Sequence, residues 1–215
     1  MSVQGRVSQP VKNQTAHWQA MDAEHHLHPF TDHAALTKKG VRVITKAEGV
    51  YLYDSEGGRL LDGMAGLWCC NLGYGNQEIA EAGYQALQEL PYYNTFFQTT
   101  HPYVVDLSEK LAALTPGELN TFYWGNSGSE SNDSGVKIIR YYWNLQGKPN
   151  KKIILSRENA YHGSTAMAAS LTGLKFMHPQ FDLPLPGIEH AGPAPYWYAE
   201  GGDMTEDDFG LYVVE

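Results

Sequence analysis

The sequence predicts an α/β protein in which helices flank a mainly parallel sheet. The 215 residues suffice for one domain with a sizeable core, or for one domain with a small additional piece. The composition, 42% hydrophobic and 18% charged with 22 glycines, is typical of a globular enzyme rich in loops. From residue 119 onward, apolar segments of strand length alternate with segments of helix length, which is the pattern of a parallel sheet covered by helices.

The N-terminal part is predicted to be a polar arm followed by a small β-meander. Residues 1–40 are polar, and their one short helical stretch runs from Thr15 to Met21. Glycine-containing turns then separate three β-rich segments, at residues 41–44, 49–54 and 59–62. A Gly-rich stretch over 63–75 precedes the first long helix.

The rest of the chain is predicted to contain helices and strands in alternation. Asn76–Leu90 is an amphipathic helix that Pro91 ends, and a second helix begins at Pro102. The later elements are a strand at 119–124, a helix at 127–145, a strand at 152–156, a helix at 164–171, a loop at 178–202 and a helix from Thr205. No Gly or Pro closes that last helix, so we expect the chain to be the first part of a longer polypeptide.

Charge and cysteine content narrow the expected partners and compartment. A net charge of −9 without a run of Lys or Arg favours a small-molecule partner over nucleic acid or an anionic membrane. Cys69 and Cys70 are the only cysteines, and adjacent cysteines rarely form a disulfide with each other, which indicates a reduced, cytoplasmic environment. Neither a signal peptide nor a membrane span is predicted, because the required apolar runs are missing.

The strongest candidate site lies where the helix at 127–145 begins. Ser127, Gly128 and Ser129 would form its first turn, whose free backbone N–H groups and helix dipole attract an anion. Ser127 and Glu130 also have the S-x-x-E spacing of a capping box, which satisfies such N–H groups without a ligand. Because neither a Walker A loop nor a Gly-x-Gly-x-x-Gly motif is present, a mononucleotide-type or phosphorylated-cofactor site remains.

Two further segments carry candidate site residues. Tyr161, His162 and Gly163 follow a predicted strand, so they would lie at the carboxyl edge of the sheet, where α/β proteins bind ligands. Tyr161 offers a flat face to a ring, although a structural Tyr and a structural His would look the same in the sequence. Trp68 stands in a loop too rich in glycine for regular structure, where either a site residue or a core Trp is expected.

Together these segments resemble the class III, fold-type-I aminotransferases. The run Gly125–Arg140 is similar to their phosphate-binding segment, and Asn132-Asp133 is similar to the branch that uses ω-amino acids or polyamines with pyruvate. Three departures from the family pattern are Ser131, in place of a small Ala, Asp133, in place of a frequent Glu, and Gly135, inside the helix. The resemblance extends from about Trp18 to the last residue, with the motifs in the family's order.

The resemblance implies an aspartate aminotransferase-like fold of type I with pyridoxal 5'-phosphate as cofactor. It implies that the cofactor is bound by Ser127, Gly128, Ser129, Tyr161, His162 and Gly163. It further implies that the amine substrate is bound by Phe30, Leu67, Trp68, Phe96 and Phe97. The implied organisation is an N-terminal arm at 1–40, a small-domain meander with the Gly-rich substrate loop at 41–75, and the first half of the PLP-binding large domain at 76–215.

The implied reaction moves an amino group from an ω-amino acid, a diamine or polyamine, or an arylalkyl amine to pyruvate, giving an aldehyde or ketone and alanine. A homodimer or a dimer of dimers is expected. No catalytic residue is assigned, because no lysine of this chain stands in the family's Schiff-base context. Lys137 would lie roughly 15 Å along the helix from the phosphate site. Residues 1–215 alone are therefore expected to be inactive.

Two other interpretations stay open at this point. One is a non-catalytic half-chain that serves in dimerisation or folding, and the other is a different α/β enzyme with a phosphorylated cofactor. Histidines at 25, 26, 28 and 33 suggest zinc, but neither a cysteine nor a carboxylate accompanies them at a recognised spacing. No metal site is therefore expected.

Overall fold

The chain consists of two units, and the boundary between them lies between His101 and Pro102. The structure is a computed structural model that describes residues 14–192 and 196–214. The first part of the predicted arm, three residues of the predicted loop at 178–202 and the last residue lie outside the described residues. No helix within the described residues is long and apolar enough to cross a lipid bilayer.

The first unit begins with two helices, α1 over Thr15–His25 and α2 over His33–Lys39. The carboxylate of Asp32 caps α2, since it accepts hydrogen bonds from the N–H groups of the second and third helical residues. Gly40, at φ 76°, follows the last residue of α2. The sequence predicted a single helical stretch at 15–21. Helix α1 is longer than that, and α2 was missed because one capping Asp is a weak signal in a polar segment.

A three-stranded antiparallel sheet follows and confirms the predicted meander. Its strands are β1 (Ile44–Glu48), β2 (Tyr51–Asp54) and β3 (Arg59–Leu61), arranged in that order. The Asp54 carboxylate accepts a 2.6 Å hydrogen bond from the N–H of Gly58 and so closes the turn between β2 and β3. An isolated bridge between Gly49 and Tyr74 ties the Gly-rich loop to the turn between β1 and β2.

Helices complete the first unit. The short helix α3 covers Ala65–Trp68 inside the Gly-rich loop, and α4 covers Gln77–Glu89. Asn76 caps α4 by accepting a hydrogen bond from the N–H of Ile79. The predicted helix at 76–90 is therefore confirmed, because its cap and its terminating proline are both local signals.

The second unit contains five α-helices among the described residues and one parallel pair of strands. The helices are α5 (Pro102–Ala112), α6 (Gly128–Leu145), α7 (Ala166–Leu171), α8 (Trp197–Glu200) and α9 (Glu206–Val214). Two 3₁₀ turns lie at Lys175–Met177 and Pro179–Phe181. Strand β4 (Ile154–Arg157) pairs in parallel with β5 (Ile188–Ala191). The alternation of helix and strand predicted for this part is thus confirmed.

Two predictions for the second unit were wrong. The strand expected at 119–124 is not formed, because a strand requires a ladder partner and none of the described residues pairs with this segment. The segment 178–202, expected to be a loop, contains β5 and α8 as well as a 3₁₀ turn. Its proline and glycine residues obscured a four-residue strand whose partner, β4, begins 34 residues earlier.

The small core of the second unit lies between its helices and the parallel pair. Val136 from α6, Leu171 from α7 and Ile188 from β5 are buried together, with Ile154 and Met167 packed against them. Burial of each such side chain contributes about 1.5–3 kcal/mol. This packing fixes α6 and α7 beside β4, so the loop that leaves β4 lies next to the beginning of α6.

Gly173 provides a test of this packing. Its N–H donates to the carbonyl of Ala160, and a Cβ at position 173 would lie 2.1 Å from the carbonyl oxygen of Arg157. Because that oxygen is backbone, we expect Gly173→Ala to lower the free energy of unfolding by more than about 2 kcal/mol. Thermal unfolding followed by circular dichroism measures this change.

The matched control is Gly135→Ala in α6, where a Cβ meets no atom of the described residues within 4 Å apart from its own stretch of helix backbone. An alanine inside a helix should raise stability by about 0.5–1 kcal/mol relative to glycine. Equal melting temperatures for the two variants would contradict the packing described for Gly173.

Candidate functional site

The first turn of α6 combines a capping box with two free backbone N–H groups. Ser127 Oγ accepts from the N–H of Glu130 at 3.2 Å, and Glu130 Oε2 accepts from the N–H of Asn126 at 2.8 Å. Within the described residues, no protein acceptor binds the N–H of Gly128 or of Ser129. The two sequence interpretations therefore coexist, because capping uses the third N–H of the helix and leaves the first two for an anion.

The side chains around this turn add to its capacity for an anion. Helix α6 has 18 residues, so its N-terminal end carries the full partial positive charge of the helix dipole. Ser129 Oγ accepts a 3.0 Å hydrogen bond from the N–H of Ser164, which leaves its own proton able to donate. Ser127 Oγ likewise accepts from Glu130 and can donate. The Glu130 carboxylate offsets part of the positive potential.

The loop that carries Tyr161, His162 and Gly163 is fixed to these first turns. Asn132 Nδ2 donates to the carbonyl of His162 at 2.7 Å. The Ser129 hydroxyl oxygen accepts a hydrogen bond from the N–H of Ser164, the residue that follows Gly163. The predicted phosphate residues and the predicted ring-binding residues therefore belong to one hydrogen-bonded assembly within the second unit.

Asp133 forms a second connection between α6 and this region. Its Oδ1 accepts from Thr165 Oγ1 at 2.7 Å and from the N–H of Ala168 at 3.1 Å, at the first turn of α7. Thr172, fully buried at the end of α7, accepts from the N–H of His162 at 2.9 Å through its Oγ1. The sequence analysis gave neither residue a role, since each acts through a contact more than nine residues away.

Gly163 is required by both its conformation and its surroundings. Its φ is 135°, a region that residues with a side chain rarely adopt. A Cβ there would lie 2.3 Å from Ser129 Oγ and 2.8 Å from the Cβ of Ala168. Only glycine therefore lets this loop approach α6 so closely. Beside it, Tyr161 has half of its surface exposed, so its ring can receive a ligand.

The five predicted substrate residues lie in the first unit and are all exposed. The side chains of Phe30, Leu67, Trp68, Phe96 and Phe97 are 62%, 62%, 75%, 70% and 93% exposed. All but Phe96 adopt a positive φ, with values of 48°, 62°, 66° and 55° for Phe30, Leu67, Trp68 and Phe97. Such backbone geometry costs about 1–3 kcal/mol for a residue with a side chain and is concentrated at functional sites.

Asp62 holds the loop that carries Leu67 and Trp68. Its carboxylate accepts hydrogen bonds from the Tyr74 hydroxyl at 2.5 Å, from the N–H of Gly66 at 2.8 Å and from the N–H of Met64 at 3.1 Å. The Tyr74 hydroxyl, and then the Gly66 N–H, lower the pKa of Asp62. The same bond holds the pKa of Tyr74 well above its ordinary range. The sequence signal that could have predicted this role of Asp62 is its position immediately before a Gly-rich loop that contains a Tyr.

The second unit has the features of α/β enzymes that bind a phosphorylated cofactor with a planar ring. The free N–H groups of Gly128 and Ser129 suit a phosphate, and the loop that carries the half-exposed Tyr161 is hydrogen-bonded to the same helical turn. The Nζ atom of Lys175, the lysine that follows this region, lies 2.6 Å from a carboxylate oxygen of Glu158.

The chain belongs to the class III aminotransferase family. The family model described as aminotransferase class-III matches residues 34–206. The chain is 50% identical over 208 residues to the putrescine–pyruvate aminotransferase of Pseudomonas aeruginosa, a match that covers 97% of this chain and 45% of the relative. It is 45% identical over 176 residues to the diaminobutyrate–2-oxoglutarate transaminase of Halomonas elongata, covering 80% of this chain and 37% of the relative.

Solved structures confirm the predicted fold of type I. The (S)-enantioselective ω-transaminase of Thermomicrobium roseum matches with a TM-score of 0.87 and 41% identity, covering 93% of this chain and 44% of that one. The ω-transaminase of Pseudomonas jessenii in complex with PMP matches with a TM-score of 0.88 and 39% identity, covering 91% and 43%. The chain spans less than half the length of these relatives.

The Asp62 contacts predict a measurable shift in titration. In the folded protein, the pKa of the Asp62 carboxyl group should lie below the ordinary Asp value of about 3.9. Because the folded pKa is depressed, these contacts stabilise the loop above that pH, and the stabilisation is lost as the pH falls through the folded pKa. NMR of the carboxyl carbon as a function of pH measures the value directly.

Tyr74→Phe should raise the pKa of Asp62 towards the ordinary value, since it removes the first cause of the shift. Tyr84→Phe is the matched control, because the Tyr84 hydroxyl contacts Gln88 on α4. An Asp62 that titrates identically in the wild type and in Tyr74→Phe would show that the hydroxyl does not hold the carboxylate.

Proposed function

We propose that the protein is an aminotransferase that uses pyridoxal 5'-phosphate and moves the amino group of a diamine, polyamine or ω-amino acid to pyruvate. The products are an aldehyde or ketone and alanine. The observation that carries the proposal is the pair of free N–H groups at Gly128 and Ser129, in a helical turn that is hydrogen-bonded to the loop of Tyr161, in a member of this family. The relative that acts on putrescine and pyruvate supports the choice of substrates.

The second unit would hold the cofactor. Ser127, Gly128 and Ser129 would bind its phosphate through two backbone N–H groups and two hydroxyls. Tyr161 would stack on its ring, and Gly163 allows the close approach between the two segments. When bound, the cofactor supplies the electron sink for the reaction. The hydrogen bonds of Asn132 and Asp133 would keep the ring-binding loop fixed relative to the phosphate turn.

The first unit would select the amine. The five proposed lining residues carry no charge and expose large apolar side chains, namely Phe30, Leu67, Trp68, Phe96 and Phe97. A neutral lining disfavours a carboxylate on the reacting carbon and suits the extended chain of a diamine, or an aryl group. Because the positive φ values fix the backbone that carries most of these side chains, the lining would be largely preformed.

A homodimer or a dimer of dimers completes the proposal. Phe96 and Phe97 stand next to each other with ring centroids 6.1 Å apart, and they are 70% and 93% exposed. An apolar pair of this kind is better accommodated between subunits than in water. We also propose a cytoplasmic location, on the cysteine content. The comparisons do not favour a non-catalytic half-chain or a different phosphate-cofactor enzyme.

The direct test is a transamination assay of the complete polypeptide. With putrescine and pyruvate, alanine should form in amounts that depend on added pyridoxal 5'-phosphate. Replacement of pyruvate by 2-oxoglutarate should lower kcat/KM for the acceptor. Binding of the cofactor without alanine production from any diamine or ω-amino acid would contradict the proposed reaction.

The variant Trp68→Gly tests the proposed amine pocket within that assay. Removal of the ring should raise kcat/KM for a bulky arylalkyl amine by about tenfold, while cofactor affinity stays within about twofold. A solved ω-transaminase in which a tryptophan is replaced by glycine is named for the synthesis of bulky amines. Leu72→Ala is the matched control, because Leu72 lies in the same loop and is equally exposed. Parallel losses for small and bulky amines, together with loss of cofactor, would make Trp68 structural.

A further inference from the structure

Three side chains at the end of α1 place ligand atoms of the kind that bind transition metals around one point. Asp22 Oδ1 lies 2.9 Å from His26 Nδ1, and Asp22 Oδ2 lies 2.8 Å from His28 Nε2. With one ligand atom taken from each of the three residues, these atoms lie within 4.8 Å of one another. The two imidazole rings have centroids 4.1 Å apart.

We propose that Asp22, His26 and His28 form a binding site for one divalent transition-metal ion of the zinc class. Two imidazoles and one carboxylate are a ligand set that Zn²⁺ accepts, with water in the remaining position. This site is separate from the proposed aminotransferase function and does not depend on it. The sequence analysis expected no metal because it found no carboxylate at a recognised spacing. In the fold, Asp22 lies in the last turn of α1, four residues before His26, which caps the end of that helix. Asp22 therefore supplies the carboxylate.

The observed geometry is close to that of a metal complex. Zn–N and Zn–O bonds of about 2.0–2.2 Å at a tetrahedral angle separate neighbouring ligand atoms by roughly 3.3 Å. The two N–O separations in the structure are 2.9 and 2.8 Å, and each involves a different oxygen of the Asp22 carboxylate. Side-chain rotations that lengthen both separations by about half an ångström would admit the ion. On metal binding, each neutral imidazole would carry its N–H proton on the ring nitrogen that does not bind the ion, so the nitrogen that now faces the carboxylate would present its lone pair.

The surroundings of the three ligands suit an ion with bound water. Asp22, His26 and His28 line a cavity of about 230 Å³ in the first unit, together with Gln19 and His33. The cavity has room and polar partners for water molecules that complete the coordination.

The site would connect α1 to the segment that leads to a proposed substrate residue. His28 lies beyond the end of α1 and two residues before Phe30, whose φ is 48°. The backbone carbonyl of His28 also accepts a 2.9 Å hydrogen bond from His33 Nε2, on the first residue of α2. A bound ion would therefore link the end of α1 with the beginning of α2 and restrict the chain between them.

Isothermal titration of the metal-free, tag-free protein with ZnCl₂ tests the site. One equivalent should bind with a Kd of about 1 µM or lower. His26→Ala and His28→Ala should each weaken binding by at least about tenfold. His25→Ala is the matched control, because His25 neighbours the site on α1 but pairs with Glu24 at 3.8 Å. This control should stay within about twofold of the wild type.

Two further measurements keep the proposal testable if an alanine variant loses its fold. His26→Gln and His28→Gln retain polar side chains and should weaken binding in the same way, with far-UV circular dichroism as the check on folding. Added Co²⁺ should give visible absorption bands in the wild type and in His25→Ala, and none in His26→Gln. Absence of saturable Zn²⁺ binding below about 100 µM, or equal weakening by His25→Ala, would overturn the proposal.

Discussion

The attachment of the loop after β4 to the first two turns of α6 is the interaction on which the candidate site depends. Gly163 approaches Ser129 so closely that a methyl group would lie 2.3 Å from the serine oxygen, and Asn132 holds the carbonyl of His162. These contacts bring the proposed phosphate turn and the proposed ring-binding residue into one assembly. Each of these contacts is local to the second unit, so this unit can preorganise a cofactor site by its own packing.

In the first unit, three Asp carboxylates fix the backbone by accepting hydrogen bonds from backbone N–H groups. Asp32 caps α2, Asp54 closes the turn of the meander, and Asp62 fixes the Gly-rich loop through two N–H groups and the Tyr74 hydroxyl. These contacts satisfy backbone donors at the start of a helix, in a tight turn and in the Gly-rich loop. They also offset the cost of the positive φ values at Leu67 and Trp68, whose side chains are mostly exposed.

The features that could be predicted from the sequence are those that depend on local signals. Helices α4 and α6 were predicted nearly to their ends, because caps and apolar periodicity lie within each segment. The presence of strand β5 and the absence of a strand at 119–124 could not be predicted, because strands depend on partners distant in the sequence. The roles of Asp133 and Thr172, and the positive φ values, depend on tertiary contacts in the same way. The family and the fold were recognisable because the motif segments are each contiguous.

The proposed cofactor site requires that the first turn of α6 bind the phosphate of the cofactor. A crystal structure of the complete polypeptide with bound pyridoxal 5'-phosphate tests it most directly. The account predicts phosphate oxygens about 3 Å from the backbone nitrogens of Gly128 and Ser129, with the ring against Tyr161. A cofactor bound elsewhere, with both of these N–H groups directed to protein acceptors or to water, would contradict the account.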